Sequence, residues 1–335
     1  MKSYRRSALW LASAIGLSIF AAPGNAAEFK FNLANVAPAN SLPAMADGNF
    51  AKAVMKKSGG RIEVVTHPGG ALGFKERDQF TAVADGALEM ANTPFDKLVG
   101  LAPIFALQSL PFLTPTVAET KVMLDVARPW YEKAFNGSNQ TLLFGAPYTP
   151  QGIWAKKLIR TVADLKGLKM RTYDVTGTKT FLAAGAKPVQ MSWADVSSSL
   201  STNIIEAVLT SDESGVSARF WDQGLKYFNF LGYTMGIGAV TMNLNKYKSL
   251  PPDLQKVIRD AAAETEKQAW EMAIIRVASN KKVMEENKAN FVDNVPVVVI
   301  NFLKKAGAPR LDEWKASMGV DADKVMSEFK KKASK

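Results

Sequence analysis

Constellations of side chains arranged to attack, ligate or transfer a proton are scarce in this sequence. His67 is the only histidine, and it lies in a His67-Pro68-Gly69-Gly70 turn. A Ser-His-Asp triad would have to use it, and a histidine in such a turn is more often structural. Cysteine is absent, which removes disulfides and thiolate metal sites. There is no HExxH pair and no GxxxxGK[ST] phosphate loop. Gly236-Ile237-Gly238 lacks the third glycine of a dinucleotide loop. Asp212 and Glu213 are adjacent, so on a strand they would point to opposite faces. They make a poor pair for glycoside hydrolysis, though they could hold a cation or an amine. No metal or cofactor is expected, and the chain does not read as an enzyme. Arg171 offers a different chemistry. Its planar fork of N–H donors matches a carboxylate, and in a cleft closed to water such bonds strengthen.

Arg171 needs elements to hold it. Glu28–Ala34 alternates polar and apolar residues as a strand does. A helical pattern runs through Phe50 and Val54 to Gly59-Gly60. Residues 61–66 read as a strand, 76–85 as a helix and 87–91 as a third strand. This βαβαβ order predicts a mainly parallel sheet with helices on both faces. Residues 116–135 are largely helical and 141–146 an apolar strand, after which Pro147 and Pro150 suggest a crossing between domains. A second βαβ series occupies about 151–237, with Arg171 in the short strand Lys169–Tyr173. Between Asp253 and Val295 no Gly or Pro intervenes, and apolar residues recur at helical spacing. A helix of about 30 or more residues is expected there, well beyond the mean of about 11–12. It reads as a spine packed across both domains.

The N-terminus reads as an export signal. Lys2, Arg5 and Arg6 precede an apolar run from Ala8 to Ala22, followed by Pro23, Gly24 and small residues. The run is shorter than the roughly 20 apolar residues of a membrane span, so cleavage near Ala26 is expected, with residues 1–26 as signal and a periplasmic mature chain. The formal charge is +11, of which the signal contributes three. The remainder is scattered, apart from Lys330, Lys331, Lys332 and Lys335. A nucleic-acid binder would concentrate it on one face, so nucleic acid is not an expected partner. About 300 mature residues suffice for two domains.

Asp164-Leu165-Lys166-Gly167-Leu168-Lys169-Met170-Arg171 resembles the DLKGLKxR signature of the solute receptors of tripartite ATP-independent periplasmic (TRAP) transporters, the DctP-type family. Gly185–Val196 is similar to that family's GANPVPMPFSEV stretch, and Leu200–Ala207 to its LQTGVVDG. Gly69–Gly73, Asp85–Met90 and Leu110–Leu113 resemble its GGQLG, DGxxDM and LPFL segments. The segments keep their order over nearly the whole mature chain.

The resemblance implies a periplasmic-binding-protein-like α/β fold, in which two domains joined by a hinge close on a ligand and a long helix spans both. Domain I would comprise 27–150 and about 239–275, and domain II 151–238 and about 276–335. The partner would be a permease of small and large membrane subunits driven by an ion gradient, and the receptor is expected to be a monomer. Arg171 takes the place of the family's carboxylate-binding arginine, and Trp193 that of its pocket phenylalanine. Tyr173, in the same strand as Arg171, joins them. Thr210, with Ser211 and Asp212 beside it, falls near a pocket asparagine of many members.

Many dicarboxylate members carry a further arginine in the strand before the signature. Here that neighbourhood reads Tyr148-Thr149-Pro150-Gln151-Gly152-Ile153-Trp154, so Gln151, Trp154 and Tyr148 offer hydrogen bonds and aromatic faces instead. Asn35, Phe74, Thr93 and Phe95 lie at or beyond strand C-terminal ends, where such folds bind ligands. The expected ligand is an acid with one carboxylate head, aromatic or a short 2-oxo or 2-hydroxy acid, with a C4-dicarboxylate as the alternative. Two other readings stay open: a ligand-presenting subunit for a sensor kinase, and a secreted hydrolase, against which the missing histidines and metal ligands count.

Overall fold

A computed structural model describes residues 26–334. The expected export signal lies outside the described residues, save for its last position. Among the described residues no helix is long and apolar enough to cross a membrane.

The chain runs β1 (Phe29–Asn35), α1 (Leu42–Lys57), β2 (Ile62–His67), α2 (Glu76–Asp85), β3 (Met90–Pro94), α3 (Val117–Asn136) and β4 (Gln140–Ala155). Then come β5 (Lys169–Thr172), α4 (Val175–Ala183), β6 (Lys187–Gln190), α5 (Val196–Ser201), β7 (Ala207–Ser211) and α6 (Asp212–Ser217). It continues with β8 (Tyr227–Asn243), α7 (Leu244–Lys248), α8 (Pro252–Glu286) and β9 (Asn290–Val292), and ends with α9 (Val297–Gly307), α10 (Pro309–Met318) and α11 (Val320–Ala333). Local chemistry fixes several boundaries. Ser41 caps α1 by accepting from the Ala44 N–H, and Thr116 with Glu119 forms a capping box on α3. Helix α2 stops at Gly86, whose φ of 78° is the left-handed conformation glycine adopts at helix ends.

One nine-stranded sheet runs in the order β2-β1-β3-β8-β4-β7-β5-β6, with β9 beside β8. The β2-β1-β3 end and the β7-β5-β6 end are parallel, as expected. The middle is not. Strands β4 and β8 are long, antiparallel to each other, and join the two ends through antiparallel pairs with β7 and β3. The β2-β1-β3 end with its helices is called lobe one below, and the β7-β5-β6 end lobe two. The expected crossing at Pro147 and Pro150 therefore lies within β4. The strand continues, but its register with β8 shifts between Pro147 and Pro150 and again before Gly152. A proline lacks the N–H that a ladder needs, so it is tolerated where pairing is irregular.

Helix α8 is 35 residues long and reaches both lobes. At one end Leu254 and Ile258 pack with Phe50 and Val54 of lobe one, and at its middle Glu266 accepts from the Gly145 N–H at 2.8 Å while Trp270 donates to the Gly145 carbonyl at 3.1 Å. At the other end Arg276 and Asn280 meet α6. The tail departs from the expectation that 276–335 belongs to lobe two. Val299 and Leu303 of α9 do pack there with Phe181. However, Trp314, Val325 and Phe329 of α10 and α11 join a cluster with Phe105, Tyr131 and Phe135 of lobe one. Trp314 also donates to the Pro103 carbonyl at 3.1 Å. These apolar side chains recur at helical spacing, and the face they bury there decides where the tail goes.

Candidate ligand-binding site

Arg171 sits on β5, with Met170 before it facing a hydrophobic cluster and Arg171 the opposite side of the sheet. The guanidinium is buried, at 3% residue exposure. Its Nε donates to the Met191 carbonyl and an Nη to the Leu209 carbonyl, both at 3.3 Å. The rings of Tyr173 and Trp193 lie 5.8 and 5.7 Å from the guanidinium carbon. Among the described residues no carboxylate lies within ion-pair distance of Arg171. Burial pulls its pKa below the ordinary arginine value, with the charges of Asp96 and Glu76 opposing that shift.

Arg171 opens into a cavity between the lobes. Its volume, traced by the centre of a water-sized sphere, is about 60 Å³. One water takes roughly 10–15 Å³ on that measure, so the space suits a few waters or a small ligand. Lobe one contributes Val36, Ala37 and Pro38 after β1, Pro94 at the end of β3, and Asp96 and Lys97 after it. Lobe two contributes Arg171, Tyr173, Trp193, Thr210 and Ser211, and the crossing strands add Tyr148, Gln151 and Gly236. A short relay orients the amide: the Tyr173 and Thr234 hydroxyls lie 3.0 Å apart, and Thr234 donates to Gln151 Oε1 at 2.8 Å. The NH₂ end of Gln151 is left to face the cavity as a donor.

The cleft is held shut by polar contacts between the lobes. Glu76, at the first position of α2, accepts from the Ser192 hydroxyl at 2.6 Å and the Trp193 N–H at 2.9 Å. Lys97 donates to the Tyr173 carbonyl at 3.0 Å and lies 3.7 Å from Glu76. Lys75 reaches Asp195 at 3.1 Å on the rim. Burial pushes the Glu76 carboxyl up, but Lys97, Ser192 and the Trp193 N–H together bring it below its usual value. Burial pulls the Lys97 ammonium down, helped by Arg171.

Of the residues singled out from sequence, Arg171, Trp193, Thr210, Ser211, Gln151 and Tyr173 are brought together around this cavity. Asn35, Phe74, Thr93, Phe95, Trp154 and Asp212 do not line it. Trp154 lies in the core, edge-on to Phe220 and tilted against Phe228, and donates to the Ser211 carbonyl at 3.0 Å. Phe95 packs 4.4 Å from the Tyr131 ring, and Phe74 against the cluster around Val83. Thr93 is buried within β3. Asn35 donates to Asp47 at 2.6 Å and accepts from the Ala37 N–H at 2.8 Å, so it shapes the loop that lines the cavity. Asp212 opens α6 and binds Thr149 and Asn280. The sequence reading passed over Glu76, Asp96 and Lys97. The signal available was their place in the loops beyond strand C-terminal ends, one or two residues from Phe74 and Phe95, which it did select.

The fold of two α/β lobes has counterparts among known proteins. The model of the DctP family, bacterial extracellular solute-binding protein family 7, matches residues 33–315. The chain belongs to this family of TRAP solute-binding proteins. A solute-binding protein of Verminephrobacter eiseniae is 26% identical over 307 residues, covering 83% of this chain and 86% of the relative. Among solved structures, DctP6 of Bordetella pertussis, an extracytoplasmic solute receptor binding pyroglutamic acid, superposes with a TM-score of 0.86 at 24% identity. That match covers 90% of this chain and 99% of the other. A marine metagenome TRAP solute-binding protein specific for pyroglutamate, from an unidentified microbe, gives 0.85 at 25% identity, over 90% and 98%. The DctP fold is thus shared nearly end to end, and the family consists of transport receptors, not enzymes.

Proposed function

We propose that this receptor captures a small organic acid through a single carboxylate held by Arg171 and delivers it to a TRAP membrane permease. The observation that carries this reading is the buried guanidinium with no carboxylate beside it. A buried charge left unpaired is costly, and a ligand carboxylate supplies the missing partner bidentately. The flat rings of Trp193 and Tyr173 suit a planar or apolar ligand body. The pyroglutamate specificity of the metagenome receptor supports an acid of this size.

A monocarboxylate suits the cavity better than a dicarboxylate. The cavity holds two cationic and two acidic side chains, Arg171 and Lys97 against Glu76 and Asp96. Lys97 is already committed to Glu76 and the Tyr173 carbonyl, so Arg171 is the uncommitted cation. A second ligand carboxylate would face the two acids. The receptor works in the periplasm as a monomer that meets small and large permease subunits. Its lobes correspond to 27–150 with about 239–275 and the α10–α11 tail, and to 151–238 with about 276–307. They open about the irregular β4 segment near Pro147–Gly152 and the facing part of β8.

A thermal-shift screen of the mature protein against organic acids tests this, because a ligand of the folded state raises Tm. Short monocarboxylates are expected to raise Tm, C4-dicarboxylates to raise it less, and sugars and cations to have no effect. Arg171→Ala is expected to fold and to lose the shift. A shift that survives Arg171→Ala moves the anchor elsewhere, and a response to sugars alone overturns the reading.

A further inference from the structure

Asp96 follows Phe95 in a 3-10 turn, Phe95–Leu98. Successive side chains of such a turn point about 120° apart. Phe95 and Leu98 both point into the core, at 0% exposure, so the turn directs Asp96 and Lys97 the other way, into the cleft.

The two acids of the cavity differ. Glu76 has both oxygens engaged, by Ser192 and by the Trp193 N–H. Among the described residues no other residue donates a hydrogen bond to the Asp96 carboxylate and none pairs with it; only its own backbone N–H reaches it. An ionised carboxylate offers about four acceptor positions, and leaving most of them unmet in a closed cleft carries a desolvation cost. Burial holds the Asp96 carboxyl above its usual range, with Lys97 and Arg171 pulling the other way. The cavity therefore presents unmet donors on Arg171 and unmet acceptors on Asp96.

We propose that Asp96 reads the second functional group of the ligand, a hydrogen-bond donor (hydroxyl, amide N–H or ammonium) carried beside the carboxylate that Arg171 holds. This rests on the carboxylate reading of Arg171 and narrows it from small acids in general to donor-bearing ones. A site built to accept a hydrogen bond rejects an isostere that lacks the donor, because its own acceptor is then left unpaired. The same carboxylate repels a second ligand carboxylate at that place. Asp96 therefore selects for one group and against another, while the wall of Val36, Ala37 and Pro38 is indifferent to both.

Matched acids differing only in the donor provide the test, read by isothermal titration calorimetry. One pair is pyroglutamate and its lactone counterpart, 5-oxotetrahydrofuran-2-carboxylate. The other is 2-hydroxybutanoate and butanoate, with proline as the ammonium probe. In at least one pair the donor-bearing acid, or else proline, is expected to bind about tenfold or more tighter than the acid lacking a donor. Asp96→Leu is expected to bring that preference within about twofold while Arg171 still holds the carboxylates. Asp96→Asn keeps a neutral acceptor, so it retains a preference for a hydroxyl or amide N–H and loses one for proline. Equal affinities throughout in the unaltered protein overturn the proposal without any variant, as does an unchanged preference in Asp96→Leu. If none of these acids binds and none loses affinity in Arg171→Ala, the carboxylate reading itself falls and takes this proposal with it.

Discussion

Two charged centres are buried a short way apart in this molecule, and they are finished to different degrees. At the α6 end of α8, Glu213 is fully buried, and Arg276 donates to it at 2.7 and 3.1 Å. Glu213 also accepts from Asn280 at 2.9 Å and from the Leu42 N–H at 2.7 Å, and Arg276 donates to the Asn40 carbonyl at 2.8 Å. Every strong group there has a partner within the chain. In the cavity, among the described residues, Arg171 has two carbonyls and two aromatic rings but no anion, and Asp96 has no donor beyond its own backbone N–H. A structural strut is electrically complete without a ligand, whereas a binding site is left incomplete by the fold. Burial of charge is common to both, so burial alone cannot tell them apart. The count of partners can.

The comparison breaks most visibly at Glu213. Glu213→Ala removes one partner from a complete network and strands Arg276, the Leu42 N–H and Asn280. The loss is expected to be about 3–5 kcal/mol of unfolding free energy, measured by urea denaturation. Arg171→Ala in the same measurement is expected to lose less than about 2 kcal/mol, since only two carbonyls lose a donor. If both variants lose the same stability, Arg171 is a strut as well, and the distinction drawn from partner counts fails.

How much of this was legible beforehand follows from what each element depends on. Helices α2 and α8 depend on local signals: acids in the first turn and Gly86 at the end for α2, and an unbroken apolar rhythm for α8. Both were read close to their observed extents. Arg171 was legible because a contiguous motif carries it. Strand β8 was not read as a strand, although it pairs with β3, β4 and β9. Its run from Tyr227 to Asn243 contains Gly232, Gly236 and Gly238, and glycines read locally as breaks. They are tolerated because partners on both sides hold the strand, a fact no local window contains. Asp96 was missed for a related reason. Strand β3 begins at Met90, three residues later than the alternation suggested, and the 3-10 turn after it rotates each side chain by a third of a circle. Phe95 and Asp96 thereby exchange the roles that a strand-end reading assigns them. Asp212 was placed near the pocket through the family resemblance of the Thr210 segment, but β7 ends at Ser211 and the helix turns Asp212 inward.

The Asp212 carboxyl sharpens the comparison through pH. Burial pushes it up to about 6, against the hydrogen bonds from Thr149 and Asn280 that favour its ionised form. A carboxyl whose folded pKa is raised binds its proton more tightly in the folded state. Its contribution is fully present below the unfolded value near 3.8 and is lost as pH rises through about 6. Stability is expected to fall across that window by at most about 1.4 kcal/mol per pH unit. Asp212→Asn is expected to reduce the slope between about pH 4 and 6, leaving the part that Asp47 and Asp174, both pushed by burial up to about 7, contribute, and to leave ligand affinity unchanged, because Asp212 does not line the cavity. A slope that is unchanged in this variant assigns the titration wholly to other groups. A change in ligand selectivity would return Asp212 to the pocket.

The smallest expected effect falls on Glu76, which belongs partly to each class. It lines the cavity as a site residue does, yet both its oxygens are satisfied across the cleft by Ser192 and Trp193. Its partners are complete only when the lobes are together, so it stabilises the closed form without reading the ligand. Glu76→Gln keeps one acceptor for the Trp193 N–H, which costs on the order of 1 kcal/mol of closure. That corresponds to about a fivefold rise in Kd, the same factor for every acid tested, because closure is common to all of them. Calorimetry across the monocarboxylate series distinguishes this from direct contact. A uniform weakening places Glu76 with the struts that work between lobes. A weakening confined to donor-bearing acids would place it beside Asp96, as a second reader of the same ligand group.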